Sequence, residues 1–261
     1  MVDFLKKLIG VAAFLFAIIG LVLVVQKVTG GEHVVLDHAP DQTNDLAALQ
    51  RGSKTFVNYC LNCHAASSMR YNRLRDIGID EDTIKANLLF TSDKVGDLMT
   101  ISMQPKDAKA WFGVIPPDLS VIARAKNSED GSGVDYLYTY LRGFYKDDTR
   151  PTGWNNIVFH NVGMPHVLWE LQGIQKPVYV DEKDEEGKVE RKLDHLEIAT
   201  PGKMSKQDYD NTVADLVSYL DWMSEPTAHL RHQLGVWVLL FLGVLATLCW
   251  RLNASYWKEV K

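Results

Sequence analysis

Two uncharged apolar runs lie near the ends of the chain, and the residues between them carry short helical stripes separated by polar, Gly- and Pro-containing segments. Residues 8–25 come after Lys6 and Lys7, and residues 234–250 precede Arg251, Lys258 and Lys261. A helix needs about 20 apolar residues to cross the hydrocarbon of a bilayer. The second run is just long enough. A buried core helix is the alternative, but the run is apolar on every face, with Trp237, Trp250, Tyr256 and Trp257 near its ends, which suits a membrane-spanning helix. The first run reads as a secretory signal or as an anchor, and either would export the residues after it. Its length and the lack of an A-x-A site favour a retained hydrophobic helix. Positive charge on the outer flank of both runs places the intervening residues outside the cytoplasm.

Between the runs, Leu46, Leu49, Ser53, Phe56 and Cys60 recur at alternating spacings of three and four, which predicts a helix over residues 45–60. Asn44 or Asp45 would cap it, and Gly52 would let a second helix come close. Residues 80–103 read as two short helices, with Met99 and Met103 as packing residues, and residues 107–111 as a helical turn before Gly113. Pro116 and Pro117 force an extended segment, after which Asp118 or Ser120 would cap a short helix carrying Arg124. A polar loop over residues 127–133 leads to a helix over residues 135–145. Residues 146–165, with Pro151, Gly153, Asn155, Asn156, Asn161, Gly163 and Pro165, read as a long ordered loop. Residues 178–193 alternate as an exposed hairpin with an acidic tip. Ser205 and Asp208 form a capping box that opens a helix with Tyr209, Val213, Leu216, Val217 and Leu220 on one stripe. Glu225-Pro226 ends it.

A charged fraction of 23% and a net charge of -5 over 261 residues fit one globular domain with membrane segments, and suggest no nucleic-acid partner. The chemistry lies in the cysteines. Two of the three fall in Cys60-Leu61-Asn62-Cys63-His64, a C-x-x-C-H stretch of the kind to which a c-type haem is attached. Two thiols three residues apart can form thioethers with the haem vinyl groups, and the adjacent histidine is then held against the iron. A zinc site would need two further ligands at matching spacing, whereas Cys249 lies inside the second apolar run. A redox dithiol would sit where a strand meets a helix, but here the motif closes a helix. Attachment of this kind implies an oxidising, extracytoplasmic compartment.

Val162-Gly163-Met164-Pro165 sets a methionine between a permissive glycine and a restricting proline, a way to hold an axial ligand. Packing is the commoner role for a loop methionine, and the motif by itself leaves both readings open.

These segments, in this order, resemble the cytochrome c1 family of bacterial quinol-cytochrome c reductases. The resemblance rests on Cys60 to His64 with Arg70-Tyr71, Pro116-Pro117-Asp118-Leu119-Ser120 with Arg124, Asp135-Tyr136, Val162-Gly163-Met164-Pro165, and Trp222-Met223-Ser224-Glu225-Pro226 before a single C-terminal span. It implies a mainly α fold: a class-I-like cytochrome c haem domain with loop and hairpin insertions over residues 29–228, an N-terminal signal or anchor over 1–28, and a transmembrane anchor with a short tail over 229–261. It implies one covalent haem c, with Cys60 and Cys63 as thioether anchors and His64 and Met164 as axial ligands. Arg124 and Tyr136 would contact a propionate, and a carbonyl near Pro117 would orient His64. An arginine fork is independently a sensible partner for a propionate that would be costly to bury alone.

With both axial positions filled by protein, the expected work is one-electron transfer without bond-making catalysis. The resemblance implies electrons arriving from a Rieske iron-sulfur protein and leaving to a cytochrome c, beside cytochrome b in a bacterial cytoplasmic membrane with the haem domain in the periplasm. A cytochrome subunit of another respiratory complex and an open-site haem enzyme are the competing readings. The family often carries a disulfide near the methionine loop or hairpin, for which this chain has no cysteines.

Overall fold

Asp45 starts the first helix by accepting hydrogen bonds from the amides of Ala47 and Ala48. In this computed structural model, residues 35–183 and 189–259 are described; the first apolar run and most of the acidic tip lie outside the described residues. Helix α1 (Leu46–Thr55) passes into a π-helical turn, Phe56–Cys60, closed by a bond from the Leu61 amide to the Phe56 carbonyl. The predicted helix is therefore present with its last turn widened. Such π turns recur at functional sites.

Strand β1 (Ala66–Arg70) and a 3₁₀ segment (Tyr71–Ile77) come next, then α2 (Glu81–Asn87), capped by Asp80. Only this one of the two helices expected over residues 80–103 forms before the chain reaches β2 (Leu98–Met99), which pairs with β1. Ser92, Asp93 and Gly96 break the second, and the Asp97 carbonyl accepts from the Tyr71 amide, drawing the segment across to β1. Met99 is wholly buried, as a packing residue should be. Helix α3 (Pro105–Phe112) has Pro105 in its first turn and ends on left-handed Gly113.

Helix α4 (Ile122–Ala125) has no side-chain cap, correcting the role expected of Asp118 or Ser120. Those side chains instead accept from the amides of Ser67 and Ser68, sewing the chain after Pro117 to β1. Helix α5 (Gly133–Arg142), capped by Ser132, is shorter at its C-terminus than predicted, because residues 144–146 leave it as β3 (Phe144–Lys146). Strand β4 (Trp154–Asn156) pairs with β3, so the long segment before Met164 is not all loop. A short α6 (Trp169–Gln172) precedes β5 (Gly173–Lys183) and β6 (Val189–Pro201), a hairpin longer than the alternation indicated. The added length lies at the body end, where Gly173 and Gln175 of β5 are buried while residues 197–201 of β6 are exposed.

Helix α7 (Lys206–Ser224) opens on Ser205, which accepts from the Asp208 amide, and all five residues of its predicted stripe are buried. They join Leu49, Phe56, Leu74, Met99, Leu137 and Leu141 in one core. At Gly52, α1 meets α7 so closely that a β-carbon would lie 2.1 Å from the Asp215 carbonyl oxygen. Beside it, Arg51 grips the Asp215 carboxylate through two bonds of 2.6 and 2.9 Å. Helix α8 (Ala228–Tyr256) contains a 27-residue segment, Leu230–Tyr256, long and apolar enough to cross a membrane.

Candidate haem site

The π turn delivers Cys60, and the tight turn after it brings the amides of Cys63 and His64 to within 3.1 and 2.9 Å of the Cys60 carbonyl. Both cysteines are half-buried free thiols. Burial pushes the Cys60 thiol up to about 12, with Cys63 adding to the effect. The His64 ring lies against the segment made extended by the two prolines, its Nδ1 2.7 Å from the Pro117 carbonyl oxygen. Burial lowers the imidazole's pKa, while the Pro117 bond and the Asp118 charge oppose that shift. A carbonyl can only accept, so Nδ1 carries the proton and Nε2 keeps its lone pair for a metal.

Met164 is half-buried after a loop fixed by two buried amides that no sequence motif announces. Asn155 Oδ1 accepts from the amides of Asn156 and Asn161. Asn156 Oδ1 accepts from Val158 and Phe159, and its Nδ2 donates to the Tyr140 carbonyl at 2.7 Å. The Tyr140 hydroxyl in turn donates to Met164 Sδ at 3.5 Å. Its ring lies between Tyr136, stacked at 5.9 Å, and Phe144, edge-on at 5.1 Å. Burial raises the Tyr140 phenol, with Tyr136 contributing, so it keeps its proton.

Arg124 is exposed and, among the described residues, forms no ion pair. Tyr136 is half-buried, and the ammonium of Lys126 sits 4.8 Å above its ring, so α4 and α5 meet beside these two residues. Lys126 has no motif to announce it. His166, two residues past Met164, is buried against Phe144 with ring centroids 4.9 Å apart, and burial pulls it down to about 4. Residues 112–117 bridge the two halves of the site. A β-carbon on Gly163 would lie 2.8 Å from Val114 Cγ2, while Pro117 touches His64.

This donor set fits a covalently held haem: two free thiols in C-x-x-C-H spacing, an imidazole committed at Nδ1 alone, and a thioether held by a fixed donor. The profile described as Cytochrome C1 family matches residues 38–260. A relative from Nitrosomonas europaea, named ammonia monooxygenase gamma subunit, is 48% identical over 232 residues, covering 89% of this chain and 92% of that one. Cytochrome c1 of Allochromatium vinosum is 46% identical over 232 residues, covering 88% and 91%. Cytochrome c1 of Rhodospirillum rubrum is 30% identical over 244 residues, covering 83% of each. The match runs through both the motif and the apolar C-terminal helix, and it makes the chain a member of the cytochrome c1 family, whose proteins carry one covalent haem c and serve as membrane-anchored electron-transfer subunits of the bc1 complex.

Proposed function

We propose that this chain is the electron outlet of a quinol-cytochrome c reductase: it accepts single electrons from the Rieske iron-sulfur protein and passes them to a cytochrome c. Residues 29–228 form a mainly helical, class-I-like haem domain on the periplasmic side of a bacterial cytoplasmic membrane. Residues 229–261 anchor it beside cytochrome b, and residues 1–28 serve as signal or second anchor. Lysines and arginines flanking both apolar runs support that orientation.

Cys60 and Cys63 hold the haem through thioethers, His64 and Met164 ligate the iron, and Arg124 and Tyr136 face a propionate. The haem, when bound, supplies one-electron exchange between ferrous and ferric iron. The observation that carries the reading is the 2.7 Å contact between His64 Nδ1 and the Pro117 carbonyl. It fixes the tautomer and the ring plane, and makes the imidazole a firmer donor through Nε2. Arg124, exposed and without a carboxylate among the described residues, suits an anionic neighbour. As a soft donor, Met164 would favour the reduced state of the bound group, and with His64 also committed to the iron no position would be left for a substrate.

The test is a reduced-minus-oxidised spectrum and redox titration of the purified membrane complex, with Met164→Leu as the key variant. The parent should copurify with cytochrome b and a Rieske protein and show a long-wavelength sulfur–iron band. The variant should keep covalent haem, lose the band and titrate at a markedly lower potential. Ready uptake of carbon monoxide by the reduced parent would favour an open-site haem enzyme and refute the proposal.

A further inference from the structure

We infer that the Tyr140 hydroxyl is a positioning group for the axial sulfur, tuning the site's potential through its hydrogen bond to Met164 Sδ. The inference rests on the reading of Met164 as an iron ligand, and it adds a residue that neither the C-x-x-C-H motif nor the family resemblance singled out.

A thioether has no proton to give, so the 3.5 Å contact has one polarity: Tyr140 donates and the sulfur accepts. The donor cannot easily turn away. Its ring is packed between Tyr136 and Phe144, and its own carbonyl is tied to Asn156, on the strand that leads into the methionine loop. One residue of α5 therefore holds this segment at two points. Its backbone fixes the start through Asn156, and its hydroxyl meets Met164 near the end.

On a sulfur bound to iron, this contact acts in two ways. The hydroxyl selects one rotamer of the methionine side chain, and with it the lone pair presented to the metal. It would also withdraw electron density from the sulfur, weakening donation to ferric more than to ferrous iron and so raising the potential of the loaded site. Removing the hydroxyl alone should lower the potential while leaving the ligand in place.

The experiment uses the full-length, haem-loaded chain purified in detergent in four forms: parent, Tyr140→Phe, Met164→Leu and the double variant. Midpoint potential and the sulfur–iron band are recorded for each. We expect Tyr140→Phe to keep the band at a displaced wavelength and to titrate at a lower potential. In the Met164→Leu background, where there is no sulfur to bond, the same substitution should leave the potential unmoved. A parent without the band would remove Met164 as ligand, and this inference with it. A parent with the band, and a Tyr140→Phe variant matching it in band position and potential, would overturn the inference alone. An equal shift in the leucine background would also overturn it, since a change of packing or solvent access would act in both.

Discussion

Replacing Gly52 by alanine sets two effects of opposite sign against each other. Alanine in a helix interior is favoured over glycine by about 1 kcal/mol, so on propensity alone the substitution should stabilise α1. The added carbon, however, would lie 2.1 Å from the Asp215 carbonyl oxygen, 2.7 Å from the Asp215 carbonyl carbon and 2.7 Å from Tyr219 Cβ. These atoms cannot rotate away, because two are backbone and the third is fixed to it. Ordinary contact at 3.4 Å or more requires α1 and α7 to separate by over an ångström. Tyr219, wholly buried against Phe56 and Trp222, and the paired Arg51 and Asp215 resist that movement. Overpacking of this kind costs about 1–3 kcal/mol, and backbone atoms as the obstacle put it at the upper end. The net expectation is a loss of about 2 kcal/mol, or about 4–8 °C in Tm for a domain of this size. Denaturation of the haem-loaded chain in detergent, monitored by haem absorbance, measures it. Stability equal to or above that of the parent would refute the close approach as the deciding effect and leave propensity in charge.

Two other substitutions address the site and its attachment to the fold. Asn156→Ala removes the amide that bonds Tyr140, Val158 and Phe159; these backbone groups are only partly buried, so each loss lies at the low end of about 1–3 kcal/mol, stability should fall by about 3 kcal/mol and the sulfur–iron band should weaken. Denaturant titration and the spectrum check both. Asp135 accepts from the Ala39 amide, the Ser132 hydroxyl and His38; burial alone would raise its pKa, but these partners outweigh burial and hold it below the usual carboxylate value. The carboxylate therefore stabilises the fold above about pH 3.9, its unfolded value, and this contribution is lost as pH falls through the lower folded value. Asp135→Asn should be less stable than the parent at neutral pH, with the gap constant there and closing under acid; a gap that persists unchanged at pH 2 would count against a charge effect.

The parts of this structure legible in the sequence are those where one residue type has one physical use. Asp45 and Ser205 are helix caps because short polar side chains satisfy free amides, and both cap helices here. Gly52 in a helical stripe has no good reason to be there except a close neighbour, and α7 is that neighbour. The parts not legible are those where two structures share one pattern. An α turn and a π turn place Phe56 and Cys60 on nearly the same apolar face, so periodicity could not show the widening before the haem motif. Residues 88–99 carry apolar side chains at helical spacing, yet Ser92, Asp93 and Gly96 interrupt the helix and Leu98–Met99 pair with β1, where Met99 is wholly buried. Tyr140 carries no motif in the sequence; only the fold reveals that its hydroxyl meets Met164.

The same distinction explains why the two faces of the site differ in how much the sequence discloses. On the His64 side, five consecutive residues contain the attachment chemistry, and the ring needs one further partner, a carbonyl that two prolines hold in extended chain. Local sequence determines nearly all of it. On the Met164 side nothing local suffices, because a thioether is positioned by groups from α5 and from β4, each of which has an ordinary structural reading of its own. Residues 112–117 then couple the sides, with Val114 against Gly163 at one end and Pro117 against His64 at the other. The two sides are therefore joined by contacts distant in sequence, Gly163 with Val114 and His64 with Pro117, which is why the local pattern around either side chain does not disclose the other.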